Sequence, residues 1–365
     1  MEILKHANPA VQSLRPYEPG RPIEEVAREF NLDPGKICKL ASNENPLGCS
    51  PKVSARLAQV LADVRRYPDG GAYYLRRKLA GRLGVAPEEL IFGNGSNEVI
   101  EFVGHCFMGP GVSVVASAHA FVVYKLVAHM FGARFIEVPT RGLGHDLEAM
   151  ARAIEPDTRV VFICNPNNPT GTFLSGSAIK KFMEQAPDDV LVVFDEAYHE
   201  VCLSRMPKTL DYVRAGRACL VLRTFSKAYG LAGLRLGYGI GPAPLIATLE
   251  KARQPFNTNR LAQEAAMAAL DDEGFIRAGR RLVREARAYI EDACRRAGLE
   301  FEPTHANFIL IRVGDGVRVA RELTRRGVIV RPMAGYGLPE YIRVTFGLPH
   351  ENERFMQELL DILRA

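Results

Sequence analysis

Short apolar runs alternate with segments of helical spacing between residues 50 and 250. The clearest apolar runs cover residues 112–117, 134–138, 160–164, 190–194 and 219–222. Segments between them, such as 147–154 and 175–184, carry apolar residues at helical spacing. Near-continuous apolar strands are typical of strands buried on both faces, and their alternation with helices is typical of parallel sheets. The pattern therefore predicts an α/β fold with a mainly parallel central sheet flanked by helices.

The rest of the chain predicts two further parts. The first 40 residues are rich in proline and glycine, which favours an irregular arm with one short helix near 23–30. After residue 255 comes a long helical stretch, 259–298, broken near 271–274, and then a mixture of short strands and helices. The strands are expected at 306–312, 328–331 and 342–346, and the helices at 316–326 and 350–363. We therefore expect an N-terminal arm (1–40) that packs with the small domain or a partner subunit, a large domain (41–255) and a smaller C-terminal α+β domain (256–365).

Composition excludes several classes of protein. With 47% hydrophobic and 24% charged residues among 365, the values are ordinary for a globular enzyme. The net charge of +5 is scattered rather than gathered in a stripe, so nucleic acid is not expected as a partner. No apolar run approaches the ~20 residues of a membrane span, and residues 1–15 lack an apolar signal core. The seven cysteines are irregularly spaced, which predicts free thiols, no metal site and a cytoplasmic location.

Polar residues follow three of the predicted strands directly. The run 160–164 leads into Asn165-Pro166-Asn167-Asn168, the run 190–194 into Asp195 and Tyr198, and the run 219–222 into Thr224, Ser226 and Lys227. In open α/β sheets, ligands bind beyond the carboxyl ends of the strands. Asn168, Asp195 and Lys227 are therefore expected to meet around one ligand.

These residue types suit the chemistry of pyridoxal phosphate. A lysine amine forms an imine with the aldehyde of this cofactor, which makes Lys227 the candidate. A carboxylate beside the ring nitrogen keeps it protonated, so Asp195 is the candidate there, and Tyr198 with Asn168 could donate to the ring oxygen O3′. Taken alone, such an Asp is a common helix cap and such a Lys a common solvated charge. Their joint order after consecutive strands favours the cofactor site.

A separate group of residues could hold the phosphate. Residues 92–97 read FGNGSN and precede a helical pattern over 98–108, so Gly95, Ser96 and Asn97 would present backbone N–H groups at a helix N-terminus. The same stretch could be a tight turn whose Ser or Asn only caps the helix. Arg235, Thr224 and Ser226 could complete the phosphate site. No GxGxxG opens a βαβ unit near the start, which argues against a dinucleotide.

At these motifs the chain resembles fold-type-I pyridoxal-phosphate-dependent aminotransferases, and within them the histidinol-phosphate aminotransferases. The resemblance runs nearly end to end. NPNNPTG, DEAY and SKAYGLAGLRLGY are specific for the fold type, and three further motifs are typical of the histidinol-phosphate branch. The latter are LRPYEPGRP at 14–22, KLASNENPLG at 39–48 and QPFNTN at 254–259.

The resemblance assigns roles to the candidate residues. It implies that Lys227 is the Schiff-base lysine and proton shuttle, that Asp195 pairs with the pyridine nitrogen, and that Tyr198 and Asn168 bond O3′. It implies that the phosphate is held by Gly95, Ser96, Asn97, Thr224, Ser226 and Arg235. Phe121 matches the aromatic residue that stacks on the cofactor ring. Tyr67 matches the tyrosine that reaches the cofactor phosphate of the neighbouring subunit, which implies a homodimer.

The resemblance also implies the substrates. Arg343 would bind the α-carboxylate of glutamate, and with Arg331 and Tyr17 it would bind the phosphate of histidinol phosphate. The expected reaction is amino transfer between L-histidinol phosphate and 2-oxoglutarate. Two departures bear on this expectation: Asn97 stands where the family often has Asp, and residues 118–120 read AHA where the family usually has a proline.

Three other functions are left open by the residues. The two arginines could hold a carboxylate while Phe121, Tyr124 and Tyr17 line space for an aromatic ring, as in an aminotransferase for phenylalanine or tyrosine. A lyase, threonine-phosphate decarboxylase, shares much of the pattern. A regulatory or scaffold protein could reuse the fold, although an intact lysine, aspartate and phosphate site argue against that.

Overall fold

Seven strands form the central sheet of the computed structural model, which describes residues 1–12, 14 and 20–365. In chain order the strands are β2 (Leu90–Gly93), β3 (Ser113–Ser117), β4 (Arg134–Val138), β5 (Thr158–Cys164), β6 (Leu191–Asp195), β7 (Cys219–Thr224) and β8 (Gly237–Ile240), while β1 (Cys38–Lys39) lies elsewhere. Their spatial order is β2-β8-β7-β6-β5-β3-β4. Strand β8 runs antiparallel to β2 and β7, and the other neighbouring pairs are parallel. The predicted, mainly parallel sheet is therefore confirmed.

Helices cover both faces of this sheet. Alternate residues of β5 point to opposite faces, so Val161 and Ile163 join one apolar cluster while Val160 and Phe162 join another. Burial on both faces explains why the strands read as continuous apolar runs. The helices are α1 (Pro9–Gln12), α2 (Ile23–Phe30), α3 (Pro51–Val60), α4 (Tyr73–Leu83), α5 (Ser96–Phe107), α6 (Val123–Met130), α7 (Leu147–Arg152), α8 (Gly176–Gln185), α9 (Leu210–Arg214), α10 (Ala243–Glu250), α11 (Arg260–Leu270), α12 (Glu273–Ala297), α13 (Gly316–Arg325) and α14 (Pro349–Arg364).

A smaller antiparallel sheet follows the long helices. Its strands are β9 (Phe301–Glu302), β10 (Phe308–Arg312), β12 (Arg331–Pro332) and β13 (Tyr341–Thr345), in the order β12-β13-β10-β9. The break predicted near 271–274 is confirmed, because the side chain of Asp272 accepts from the N–H of Phe275 at 3.0 Å and caps α12.

The single strand predicted over 328–331 is wrong. The chain instead makes two short strands that belong to different sheets. Strand β11 (Val328–Ile329) pairs in parallel with β1, whereas β12 pairs with β13. Pro332 explains part of this, because proline lacks an N–H group and is tolerated at a sheet edge, which is where β12 lies.

The N-terminal segment packs on the C-terminal part of the chain. Helix α2 spans the predicted residues 23–30, and its Val26 and Ala27 pack with Ile37 and Ile329 in a separate apolar cluster. The segment has more regular structure than expected, since α1 and two short 3-10 helices also form. The domain boundaries at residues 40 and 255 stay a prediction. Within the described ranges, none of the helices combines the length and apolarity that crossing a membrane requires.

Candidate active site

The polar strand ends meet at one edge of the central sheet. Cys164 at the end of β5 lies beside Asp195 at the end of β6, and Asp195 lies beside Leu222 in β7. Thr224 at the end of β7 lies beside Gly237, the first residue of the antiparallel β8. The polar residues at the ends of β5, β6 and β7 therefore lie next to one another along one edge of the sheet, as expected.

A cavity of about 390 Å³ opens at this edge. Of the predicted site residues that the structure describes, Tyr67 is the one that lies outside the cavity lining, and Tyr17 falls outside the described residues. The lining includes Gly95, Ser96, Asn97, Phe121, Asn168, Asp195, Tyr198, Thr224, Ser226, Lys227, Arg235, Arg331 and Arg343. Residues from the central sheet and from the C-terminal sheet thus share one cavity.

Lys227 contributes a primary amine to the cavity lining. Its Nζ donates to the carbonyl oxygen of Ser42 at 2.9 Å. Burial and the nearby guanidinium of Arg343 lower the pKa of Lys227 to about 8. At pH 7 about a tenth of the molecules therefore carry the neutral amine, far more than at the ordinary pKa of 10.5, and the neutral amine is the form that attacks a carbonyl.

Asp195 accepts hydrogen bonds at both carboxylate oxygens. The hydroxyl of Tyr124 donates to Oδ2 at 2.6 Å, and the backbone N–H of Ala197 donates to Oδ1 at 3.1 Å. Burial raises the pKa of Asp195, and these two donors oppose that rise. Tyr124 is itself fully buried and stacks on Phe162 at 4.4 Å. Tyr124 is absent from the cavity lining, so the structure places it behind Asp195 rather than beside a substrate ring, where the sequence left it as an alternative.

Two further donors, Tyr198 and Asn168, line the same cavity as Asp195, and each is held by a residue from elsewhere in the chain. The hydroxyl of Tyr198 accepts from Asn43 Nδ2 at 2.9 Å, so its own proton is directed elsewhere. Burial raises the pKa of Tyr198, which keeps the hydroxyl protonated. The amide oxygen of Asn168 accepts from Arg343 Nη1 at 2.5 Å, which leaves the amide Nδ2 as the donor.

An anion site lies at the N-terminus of α5. Gly95 caps this helix with φ 78°, and a Cβ placed there would lie 2.6 Å from Arg235 Nη2. A Cβ on Gly237 would collide with the backbone of Ser96. The two glycines thus allow Arg235 and β8 to approach the helix N-terminus closely. Arg235 has a left-handed backbone, φ 59°, a strained conformation that is characteristic of functional sites. Helix N–H groups beside a guanidinium form a binding site for phosphate.

Two arginines face each other across the C-terminal sheet. Arg331 in β12 is the direct partner of Arg343 in β13. Arg343 is buried, and its Nη2 donates to the carbonyl of Ala41 at 2.9 Å. Its Nε is also buried and has no hydrogen-bond partner within the part of the chain that the structure describes. A buried guanidinium N–H without a partner is costly, and an anionic ligand would satisfy it.

A buried ion pair lies directly behind the site. The carboxylate of Glu196 accepts from Arg223 Nε at 3.0 Å and Nη2 at 2.9 Å, and Thr209 donates to its other oxygen at 2.6 Å. These two charged residues are neighbours of Asp195 and Thr224 in sequence. The pair therefore joins the ends of β6 and β7, the strands that carry the candidate catalytic residues.

Tyr67 lies on the surface, with 80% of its area exposed. Its ring stacks on Phe256 at a centroid distance of 4.8 Å. Other large hydrophobic residues are exposed in the same part of the sequence, namely Leu61, Val64, Tyr73 and Tyr74. Exposed apolar side chains of this kind are typical of a surface that another protein covers.

Comparisons with known proteins agree with this geometry. The family described as "Aminotransferase class I and II" matches residues 35–360. A curated histidinol-phosphate aminotransferase of Akkermansia muciniphila is 50% identical over 364 residues, covering 100% of both chains. Histidinol-phosphate aminotransferase 2 of Pseudomonas aeruginosa is 48% identical, and the match covers 99% of each of the two chains.

A solved structure has the same fold. The crystal structure of histidinol-phosphate aminotransferase from Sinorhizobium meliloti, in complex with pyridoxal-5'-phosphate, has a TM-score of 0.88 at 26% identity, and the match covers 98% of this chain and 97% of that one. The predicted fold class is confirmed.

Proposed function

Since the chain belongs to the class I and II aminotransferases, and within them to the histidinol-phosphate aminotransferases, we propose that it transfers an amino group between L-histidinol phosphate and 2-oxoglutarate with pyridoxal phosphate as cofactor. The observation that carries the proposal is the single cavity in which a lysine of lowered pKa, a buried carboxylate, an anion site and two paired arginines meet. Curated histidinol-phosphate aminotransferases that are identical to this chain at about half of the positions over its whole length support the proposal.

The cavity fits pyridoxal phosphate. Lys227 would supply the amine for the aldehyde, Asp195 the carboxylate that pairs with the protonated ring nitrogen, and the N-terminus of α5 with Arg235 the phosphate site. Phe121 lines the same cavity and is our candidate for the residue that stacks on the ring. When bound, the cofactor supplies an electron sink for the α-carbon of the substrate.

The side chains around it hold or move protons at defined atoms. Lys227, neutral in part because its pKa is about 8, is placed to take the proton from the substrate α-carbon and to return it. Asp195, whose carboxylate is oriented by hydrogen bonds from Tyr124 and Ala197, would hold the proton on the ring nitrogen. Tyr198 and Asn168, held by Asn43 and Arg343, would donate to the ring oxygen.

The two arginines recognise the anionic ends of the substrates. Arg343, whose buried Nε lacks a described partner, binds the α-carboxylate of glutamate. A phosphate monoester carries nearly two negative charges near neutral pH, so Arg331 and Arg343 together suit histidinol phosphate. Tyr17, which we expected beside them, lies outside the described residues.

Substrate preference tests the proposal most directly. We expect kcat/KM for histidinol phosphate to exceed that for phenylalanine, and Arg331→Ala to reduce the first far more than the second. The exposed Arg318→Ala is the charge-matched control and should change neither. A tenfold preference for phenylalanine, about 1.4 kcal/mol in transition-state binding, would overturn the assignment in favour of an aromatic aminotransferase.

The cofactor and the reaction type are tested separately. Purified protein should absorb visible light through cofactor bound to Lys227, and Lys227→Ala should lose the covalent link. Glutamate alone should release 2-oxoglutarate in an amount equal to the sites present. If it does not, and phosphothreonine instead releases carbon dioxide, the protein is a decarboxylase.

We further propose a homodimer that works in the cytoplasm. The exposed apolar residues around Tyr67 and Phe256 support a surface covered by a second copy, in which Tyr67 reaches the partner's phosphate site. The seven cysteines are unpaired, as is usual in a reducing compartment. Mixing Tyr67→Phe subunits with Lys227→Ala subunits should create one native-like site per hybrid dimer. A fully active monomer in sedimentation would contradict shared sites.

A further inference from the structure

A chain of hydrogen bonds runs from the C-terminal sheet to the hydroxyl of Tyr198. It starts at Thr345 in β13, whose hydroxyl donates to Asn43 Oδ1 at 3.1 Å and accepts from the backbone N–H of Asn43 at 2.8 Å. Asn43 Nδ2 then donates to the Tyr198 hydroxyl at 2.9 Å. Asn43 and Tyr198 line the active-site cavity, whereas Thr345 does not. A residue outside the cavity lining is therefore linked to one that faces the cavity.

Asn43 is held in a strained conformation at the centre of this chain. It is almost fully buried, and its carbonyl accepts from Asn307 Nδ2 at 3.1 Å. Its backbone is left-handed, with φ 55°, a conformation that asparagine adopts more readily than most other residues. Such a conformation persists only where the surrounding contacts hold it, and it is typical of functional sites. Thr345 and Asn307 supply those contacts.

The contacts determine where the proton of the Tyr198 hydroxyl points. Because the Thr345 hydroxyl donates to Oδ1, the amide nitrogen of Asn43 faces Tyr198. The Tyr198 ring is buried and packs against Phe308 at a centroid distance of 5.2 Å, which fixes the ring but not the hydroxyl proton. An N–H that donates to the oxygen from one side leaves the proton on the other side. No described residue accepts that proton, so it is available to a ligand in the cavity.

We infer that Asn43, oriented by Thr345, is a positioning residue that directs the Tyr198 hydroxyl toward the ring oxygen of bound pyridoxal phosphate and so makes the bound cofactor more acidic. The inference rests on the proposed function, in which Tyr198 donates to that oxygen. A donor at the ring oxygen stabilises its anionic form, and hydrogen bonds in a chain strengthen one another. Without Asn43, Tyr198 is a weaker donor, and the proton shared by the ring oxygen and the Lys227 nitrogen is held more tightly.

The second predicted donor to the ring oxygen, Asn168, is held from the same strand by a different residue. Arg343 donates to its amide oxygen, and Arg343 and Thr345 lie two positions apart in β13, so their side chains share one face. Arg343 lines the cavity and is our candidate for binding the substrate. Replacement of Thr345 therefore tests the Asn43 contact while the anion-binding arginine stays in place.

The decisive experiment titrates the visible absorbance of the bound cofactor with pH and compares the midpoints. Asn43→Gly removes the amide, and glycine tolerates the left-handed backbone. Its midpoint should rise by about half a pH unit to one unit, the effect of one hydrogen bond. Thr345→Val keeps the shape of threonine without the hydroxyl and should raise the midpoint in the same direction by less. Thr345→Ser keeps the hydroxyl and should titrate like wild type.

Two controls separate positioning from general damage. Tyr198→Phe should raise the midpoint most, and adding Asn43→Gly to it should change the midpoint little, since Asn43 acts through the Tyr198 hydroxyl. Asn352→Ala is the matched control, because this buried asparagine bonds the N–H and the carbonyl of Gly347 and lies outside the cavity lining. It should lower the melting temperature and leave the midpoint unchanged.

Several results would overturn the inference. One is an unchanged midpoint in Asn43→Gly or, if that variant does not fold, equal midpoints in Thr345→Val and Thr345→Ser. A lower midpoint would mean that Tyr198 donates to Asn43 instead. An equal effect of Asn43→Gly with and without the Tyr198 hydroxyl would also exclude the role. Failure of the proposed substrate would leave this titration as it is, whereas failure of cofactor binding would remove the visible absorbance from wild type and overturn both.

Discussion

Replacement of Glu196 by glutamine removes a buried charge without changing the size of the side chain. Only 1% of the Glu196 side chain is accessible, and 7% of its partner Arg223. Burial alone would raise the pKa of Glu196, but the Arg223 guanidinium and the hydrogen bonds from His199 and Thr209 outweigh it and lower the pKa from 4.5 to about 2. At about 1.4 kcal/mol per tenfold change in the ionisation constant, the ionised form stabilises the fold by about 3 kcal/mol.

An independent expectation agrees with this magnitude. Removing one partner of a buried ion pair lowers the free energy of unfolding by about 3–5 kcal/mol, because the remaining charge stays buried without its partner. With an unfolding entropy of about 2.1 cal/mol/K per residue, a loss of 3 kcal/mol lowers the melting temperature by about 4 °C for a chain of this length unfolding as one unit.

The pH dependence gives the sharper test. A carboxylate of depressed pKa contributes stability that is fully present above its unfolded pKa of 4.5 and is lost as the pH falls through about 2. The difference in the free energy of unfolding between wild type and Glu196→Gln should therefore be constant from pH 8 to about pH 5.5 and shrink below that.

Urea unfolding monitored by circular dichroism at fixed protein concentration measures this difference and its dependence on pH. Glu184→Gln, which removes the exposed pair with Lys180, is the control and should cost under about 0.5 kcal/mol. A loss below 1 kcal/mol at pH 7, or one that does not change with pH, would refute the reasoning.

Three further predictions concern the cavity itself. The rate of cofactor uptake by cofactor-free protein, followed by visible absorbance, should rise about tenfold per pH unit up to about pH 8 and then level off, since Lys227 reacts as the neutral amine; a profile that levels off near pH 10 would contradict the lowered pKa. Gly95→Ala should weaken cofactor binding in equilibrium dialysis at least tenfold, because its Cβ meets Arg235 and its φ of 78° strains any other residue, whereas Gly81→Ala, with open space around it, should not. Tyr124→Phe should raise the pKa of Asp195 further and lower kcat by about tenfold, the effect of one hydrogen bond to a charged group; an unchanged kcat would mean that the bond does not matter for the reaction.

The sequence predicted the fold and most of the cavity for a physical reason. Strands buried on both faces must be apolar throughout, so β5, β6 and β7 were visible as runs, and the polar residues after them had to lie at one edge. Strands β2 and β8 were missed because they are four residues long and contain glycine, which weakens the strand pattern.

The partners of the site residues could not be predicted in the same way. Asn43 reaches Tyr198 across 155 positions, and Tyr124 reaches Asp195 across 71. Such contacts depend on how distant segments pack, and no local pattern records them. Tyr124 also sits among apolar residues of α6, where an aromatic side chain reads as ordinary core. Strand β12 was merged with β11 because Val328–Val330 is a continuous apolar run that leads directly into Arg331, and a single residue separates the two strands.

The joining of early and late segments at the cavity constrains when the protein becomes active during its synthesis. Arg343 donates to the carbonyl of Ala41 and Thr345 donates to Asn43, each pair lying 302 positions apart. Contacts of such separation form late, since the loop between them must first be ordered. A growing chain that already contains Lys227 and Asp195 still lacks Arg343, which holds Asn168 and which we propose as the residue that binds the substrate. Cofactor binding and amino transfer are therefore expected to arise in succession as the chain is made, and a chain halted before β13 is expected to be an incomplete enzyme even with its central sheet formed.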